Sequence, residues 1–173
     1  MPEEQKELTK EELEEINSKM ASMKAKQLKS ISSMQNAPPQ GVAAQQTCMG
    51  ASLQCIPFGL TPSSLIVTPK GSLVTATGPL AATIMDFAPL VNIPPFGMCS
   101  SILNPVVASA TAAAFGVLTP MPCVPAPIGP WKPGALKVKI NNIPALTSTS
   151  ICNCMWGGVI QIINAGQFKV NII

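Results

Sequence analysis

The chain changes its hydrophobic rhythm once, near residue 38. Before that point apolar residues recur at helical spacing: Leu13, Ile16, Met20 and Met23, with a seam that can continue through Gln27 and Met34. That period predicts one amphipathic helix over residues 9–35. Thr9 followed by Glu12 fits a capping box, in which hydroxyl and carboxylate satisfy two free N–H groups. Glutamates fill the first turns and Lys19, Lys24, Lys26 and Lys29 the later ones, which complements the helix macrodipole. A stripe this thin and Met-rich either packs on the chain's own body or offers an adaptable face to a partner, and its methionines favour the partner. Asn36-Ala37-Pro38-Pro39-Gln40-Gly41 ends the helix and reads as a linker.

Past the linker the rhythm becomes that of short strands set between prolines. Leu65–Val67, Leu73–Thr75, Leu136–Ile140, Val159–Ile163 and Phe168–Ile172 are strand-like. Lys137 and Lys139 alternate with apolar neighbours, so that strand has one wet face. Asn141-Asn142 and Asn164-Ala165-Gly166 read as hairpin turns. One helix interrupts the series, with Asn104 as cap, Pro105 at its first position, an Ala-rich run to Phe115 and Gly116 as stop. The expected fold class is therefore mainly β, a small body of short hairpins (residues 38–173) carrying one internal helix, preceded by a helical extension (residues 1–37). A weak internal echo links Ser64–Val67, Gly78–Ala82 and Cys99 with Ala135–Val138, Ile143–Leu146 and Cys154.

Composition narrows the chemistry. The 173 residues contain no His, and every one of the 11 basic residues is Lys. Without His there is no Ser-His-Asp triad, no Cys-His dyad and no His-ligated metal. Without Arg the bidentate reader of phosphate and guanine is missing, which argues against a nucleic-acid partner. Charge is divided unevenly: residues 1–37 hold six Lys and seven Glu, whereas residues 38–173 hold five Lys and a single acid, Asp86. So few charges leave either a surface largely covered by partners or a polar but uncharged skin of Thr, Ser, Asn and Gln, and the first is a hint of assembly.

The acidic start lacks the layout of a secretory signal, and prolines cut the uncharged stretch from Phe87 to Trp131 below the length of a membrane-spanning helix. Synthesis in the cytoplasm, with reduced cysteines, is the expectation. Of the six cysteines, Cys55, Cys99, Cys123 and Cys154 sit at or beside Gly/Pro corners. Thiolates from four rigid corners could converge on a tetrahedral zinc; equally, free cysteines are often small buried hydrophobes. Any of them acting as a nucleophile would need a base that the chain barely supplies, so catalysis is not expected.

The run Asp86-Phe-Ala-Pro-Leu-Val-Asn-Ile-Pro-Pro-Phe-Gly-Met-Cys99, then Asn104-Pro105, Leu118-Thr-Pro-Met-Pro-Cys123-Val-Pro125, Trp131 and Cys154-Met-Trp-Gly-Gly-Val-Ile160 resembles the PAAR-like tip proteins of contractile injection systems. The opening Cys48-Met-Gly-Ala-Ser-Leu-Gln-Cys55 matches as well, and the likeness covers about residues 47–167. It implies a small cone of hairpins that caps and sharpens the trimeric VgrG-type spike of a type VI secretion system. Such a tip is made in the cytoplasm, exported at the front of the apparatus, and touches the target membrane only during puncture. The resemblance also implies a metal near the apex, usually held by His and Cys. Here Gly78-Pro79-Leu80-Ala81-Ala82 only approximates the Pro-Ala-Ala-Arg signature, and a Cys-only zinc site would replace the usual ligands. Cys154 lies where the family shows a His-Gly-Gly-x-Ile-like ligand segment, which makes it the leading candidate, joined by Cys55, Cys99 and Cys123, with Cys48 and Cys152 in reserve. The N-terminal helix, through Leu13, Ile16, Met20 and Met23, would recruit another secretion component or an effector. The rival readings are an effector or cargo adaptor delivered on the spike, and a stand-alone zinc-stabilised adaptor.

Overall fold

The computed structural model describes residues 10–34, 43–69 and 73–173, with the side chains of the first helix described up to residue 29. The capping pair's Thr9, the side chain of Met34 and the linker at residues 36–41 lie outside the described residues. The order of elements is α1 (Lys10–Met34), β1 (Ala44–Gln45), β2 (Ser52–Ile56), β3 (Ser63–Ser64), β4 (Met98–Cys99), α2 (Pro105–Ala113), β5 (Met121–Pro122), β6 (Lys132–Ile140), β7 (Ile143–Asn153), β8 (Val159–Asn164) and β9 (Asn171–Ile172). The protein is mainly β, as its pattern predicts. An antiparallel sheet of order β3-β2-β8-β7-β6 dominates, flanked by the two-stranded ribbons β1-β9 and β4-β5.

The hairpin β6-β7 turns at Asn141 and Asn142, whose φ of 49° and 66° are both left-handed, the conformation a tight two-residue hairpin needs and Asn tolerates. Asn104 caps α2 by accepting the Val106 N–H at 3.1 Å, with Pro105 following where no N–H is missed. The helix ends earlier than its Ala content suggests, at Ala113, because Phe115 and Gly116 both take left-handed φ.

Other expectations need correction. Leu65–Val67 and Leu73–Thr75 are not ladder strands; Leu65 and Val67 are buried, but the segment's N–H groups reach Ala51 and Asn92 from separate directions. Asn164–Gly166 turns the chain but makes no hairpin, since β9 returns to pair with β1 rather than β8. The hydrophobic pattern also leaves β1 to β5 unmarked, among them β2, whose Leu53 and Cys55 face inward, along with most of the long β7, hidden by Pro144 and a Ser/Thr run.

Three short segments close into a ring at one end of the sheet. The Thr47 N–H donates to the Leu146 carbonyl at 2.8 Å, the Leu146 N–H to the Ala82 carbonyl at 2.9 Å, and the Ala82 N–H to the Thr47 carbonyl at 2.9 Å. The flanking bridges repeat the same relation, pairing Gln46 with Thr147, Ala81 with Cys48, and Ala145 with Thr83. In each, the residue before one ring position meets the residue after the next, so the arrangement is three-fold in its backbone although the three sequences differ. Thr47, Ala82 and Leu146 are fully buried. The Gln46 side-chain amide closes the interior by donating to the carbonyls of Thr47 (2.8 Å) and Ala82 (3.0 Å). Asp86 braces one segment, its carboxylate accepting from the N–H (2.7 Å) and hydroxyl (2.9 Å) of Thr83.

Helix α1 lies against the body. Gln27 accepts from the Ile102 N–H at 3.1 Å and the Ser101 hydroxyl at 3.3 Å, and donates to the Ser100 carbonyl at 3.3 Å. Ile16, Met20 and Met23 are half-buried on the same face as Gln27. Leu13 is not part of that seam: it is 49% exposed, and Glu12 holds the half-buried place instead. The stripe therefore covers the body's own surface before α2, and Leu13 and Leu28 are left as apolar side chains on the outer side. Among the described residues no helix is long and apolar enough to cross a membrane.

Candidate metal centre

Four of the six cysteines lie at the end of the sheet away from the ring, near enough to feel one another's charge. Cys55 and Cys154 each lie eight residues beyond a ring position, Thr47 and Leu146, so two ring strands lead to two thiols. Extended chain rises about 3.3 Å per residue, which puts Cys154 some 25 Å along β7 from the ring.

Backbone pairing ties the four corners into a circuit. Cys55 lies opposite Ile160 on β8, and its carbonyl accepts the Gly59 N–H at 2.8 Å in the turn that follows. Gly59 bridges to Cys99, which pairs with Met121 across the β4-β5 ribbon, and one step on the Cys123 N–H donates to the Gly97 carbonyl at 2.7 Å. This register sets Cys99 and Cys123 as diagonal neighbours on one face of the ribbon. Pro127 then bridges to Cys154, whose N–H donates to the Gly158 carbonyl at 2.8 Å on the way back to β8.

The four thiols bear on one another's ionisation in two pairs, Cys55 with Cys154 and Cys99 with Cys123, and the pairs feel each other's charge. Within each pair one sulfur is held toward the thiolate and the other toward the thiol. Cys154 is lowered by the hydrogen bond from Cys55, aided by the backbone N–H groups of Ala126 and Trp156. Cys99 is lowered by the hydrogen bond from Cys123, aided by the Ser101 N–H and the Asn104 side chain. Cys55 and Cys123 are pushed up by the same two bonds and then by burial. Asn104 therefore serves twice, as the cap of α2 and as a partner of Cys99.

The two reserve cysteines stand apart in role. Cys48 is next to the ring, its thiol aimed at the Gln46 carbonyl at 3.7 Å, and burial raises it to about 11. Cys152 donates to the Gly129 carbonyl at 3.3 Å and is raised to about 12, chiefly by burial. Both are core thiols with carbonyl acceptors, not members of the pairs.

Among the described residues no three Cys, Asp or Glu side chains are drawn close enough to make a finished coordination shell. The donor set nevertheless suits one metal class. Four sulfurs, backbone N–H groups aimed at them and near-complete burial are the features of a closed structural zinc site.

Fold and site thus define a small β protein with a thiol centre at one end and a three-fold backbone ring at the other. The chain belongs to the family described as a domain of unknown function, DUF4280, whose model matches residues 47–167. No curated protein and no solved structure matches it.

Proposed function

We propose that the chain is a structural tip protein that caps and sharpens the trimeric VgrG-type spike of a type VI secretion system for membrane puncture. It is a PAAR-like member of its family, and the whole chain resembles IglG of an atypical system of this kind. The observation that carries the reading is the cyclic ring of Thr47, Ala82 and Leu146. A single chain that caps a three-fold partner must offer similar groups in three directions, or two of the partner's three surfaces go unmatched. The ring is buried and its N–H and carbonyl groups bond one another, so it sets the three segments around it in a three-fold arrangement rather than touching the partner itself.

The opposite end is the apex in this reading. Zinc held by Cys55, Cys99, Cys123 and Cys154 would tie four corners of a body that has few aromatic residues, and a structural zinc site contributes roughly 10 kcal/mol or more of folding free energy. The protein performs no catalysis, and the outer face of α1, with Leu13 and Leu28, recruits a second secretion component or an effector. It is made in the cytoplasm and leaves at the tip of the apparatus. Size-exclusion chromatography of the full chain mixed with a purified VgrG-type trimer tests the reading. Co-elution is expected; separate elution with both proteins at micromolar concentration overturns it.

A further inference from the structure

The ring sits between two apolar clusters. Ala82 and Leu146 join the main core on one side, the side that also holds the four corner cysteines. Their neighbours Ala81 and Ala145, with Cys48, turn the other way and pack with Ala76, Ile140 and Ile172. This second cluster closes the ring end of the body, on the far side from the thiols. Its outer layer comes from the later half of β6 and the segment entering β9, where Val138 and Val170 pack against it. The two segments lie side by side, since the Lys137 N–H donates to the Ile173 carbonyl at 2.9 Å.

Extended chain alternates its faces, so with Val138 turned inward Lys137 and Lys139 turn outward, and both are exposed. Lys169, beside Val170, is exposed as well, its N–H held by the Gln167 side chain at 2.8 Å. Leu136 and Phe168, each next to one of these lysines, are 54% and 74% exposed. No carboxylate side chain of the body offsets the charge: Asp86 is the only acid beyond residue 37, and it is buried on Thr83. The glutamates of α1 belong to a helix seated on the loop from Ser100 to Ile102 and on α2.

We infer that the ring end docks on an acidic surface of its protein partner, through Lys137, Lys139 and Lys169, with Leu136 and Phe168 making apolar contact among them. The inference deepens the spike-capping reading and rests on it for the partner's identity: the end of the spike that meets this face is acidic. Like charges on one face repel a second copy and any basic surface, whereas an acidic surface complements them. Exposed lysines steer the encounter and choose the partner more than they hold it, so salt weakens the contact. An anionic bilayer would match the charge too, but a fluid surface makes no use of a face fixed over a three-fold backbone ring.

The test is binding of the full chain to a purified VgrG-type trimer by titration calorimetry, at about 50 and about 300 mM salt. Poly-L-glutamate and phosphatidylserine vesicles serve as second and third probes. The variant replaces Lys137→Gln, Lys139→Gln and Lys169→Gln together, with Lys132→Gln as control and circular dichroism recording the fold. Raising the salt should weaken trimer binding by the wild type about tenfold, the triple variant should lose about as much at low salt, and the control should not. Trimer binding that ignores salt in the wild type, or that the folded triple variant keeps in full, overturns the inference and leaves the capping reading standing. Vesicle binding that depends on the three lysines, with trimer binding that does not, overturns it in favour of a lipid surface. Loss of trimer binding altogether, with poly-L-glutamate still bound through the three lysines, removes the capping reading and leaves the acidic-partner face. Binding to none of the probes removes both.

Discussion

Gly158 lies against Cys55: a methyl group built on Gly158 would come within 2.5 Å of the Cys55 sulfur. The space is needed because the chain entering β8 passes directly over the Cys55 thiol. Gly158→Ala should therefore displace the Cys55 thiol, cost about 1–3 kcal/mol of stability from overpacking and lower zinc retention. Gly129, with nothing within 4 Å of an added methyl, is the matched control and should tolerate Ala. Urea unfolding and elemental analysis of both variants check this, and equal stabilities would contradict the crowding.

Gln27 is the hinge pin of the N-terminal helix. Its amide holds three groups of the loop from Ser100 to Ile102, the loop whose Ser101 N–H also supports Cys99. Net hydrogen bonds are worth roughly 1 kcal/mol each, so Gln27→Ala should release α1 while the sheet stays closed. Hydrogen exchange is expected to speed up across α1 and leave β6 to β8 unchanged. No change in α1 would mean that Ile16, Met20 and Met23 hold the helix alone.

Asp86 is the only acid beyond residue 37, and it is buried. One carboxylate oxygen takes both the N–H and the hydroxyl of Thr83, beside the ring position Ala82, while its carbonyl accepts the Trp131 indole at 2.9 Å. An Asn can keep one oxygen in that place; an Ala removes both bonds that Asp86 makes to Thr83, at about 1–3 kcal/mol each. Chemical denaturation should rank the wild type above Asp86→Asn and that above Asp86→Ala. Equal losses in the two variants would show that the Thr83 bonds do not brace the ring.

Alkaline pH should destabilise the fold through Cys48. Its thiol is raised by burial from near 9 to about 11, so between those values the unfolded chain has given up a proton that the native chain keeps. Stability then falls as pH rises through that window and is unaffected below it. Thermal melts from pH 8 to 11 should fall more steeply for the wild type than for Cys48→Ala. Parallel curves would place the alkaline loss elsewhere.

What the sequence made legible is local. The Asn141-Asn142 turn and the Asn104-Pro105 helix start each depend on residue types within a few positions, and both stand in the structure. The ring was only half visible. The suspected echo between Gly78–Ala82 and Ile143–Leu146 matches Pro79 to Pro144, whereas the ring sets Leu80 in the place of Pro144, one residue along. Its third member, Gln46-Thr47-Cys48, gave no signal because it meets the others through a few long-range bonds and no periodic run. Helix α1 shows a different limit. Positions 12 and 13 both flank Ile16 on a helix, and hydrophobicity chose Leu13; the polar contacts of Gln27 turn the seam toward Glu12 instead.

The stoichiometry of the complex with the spike tests the central claim most directly. A ring that is three-fold in backbone but built from one chain should cap the whole end of a trimer, so native mass spectrometry should find one chain per three VgrG-type subunits. Three chains per trimer, each seated on one subunit, would contradict capping by a body arranged around the ring of Thr47, Ala82 and Leu146, even if the two proteins bind tightly.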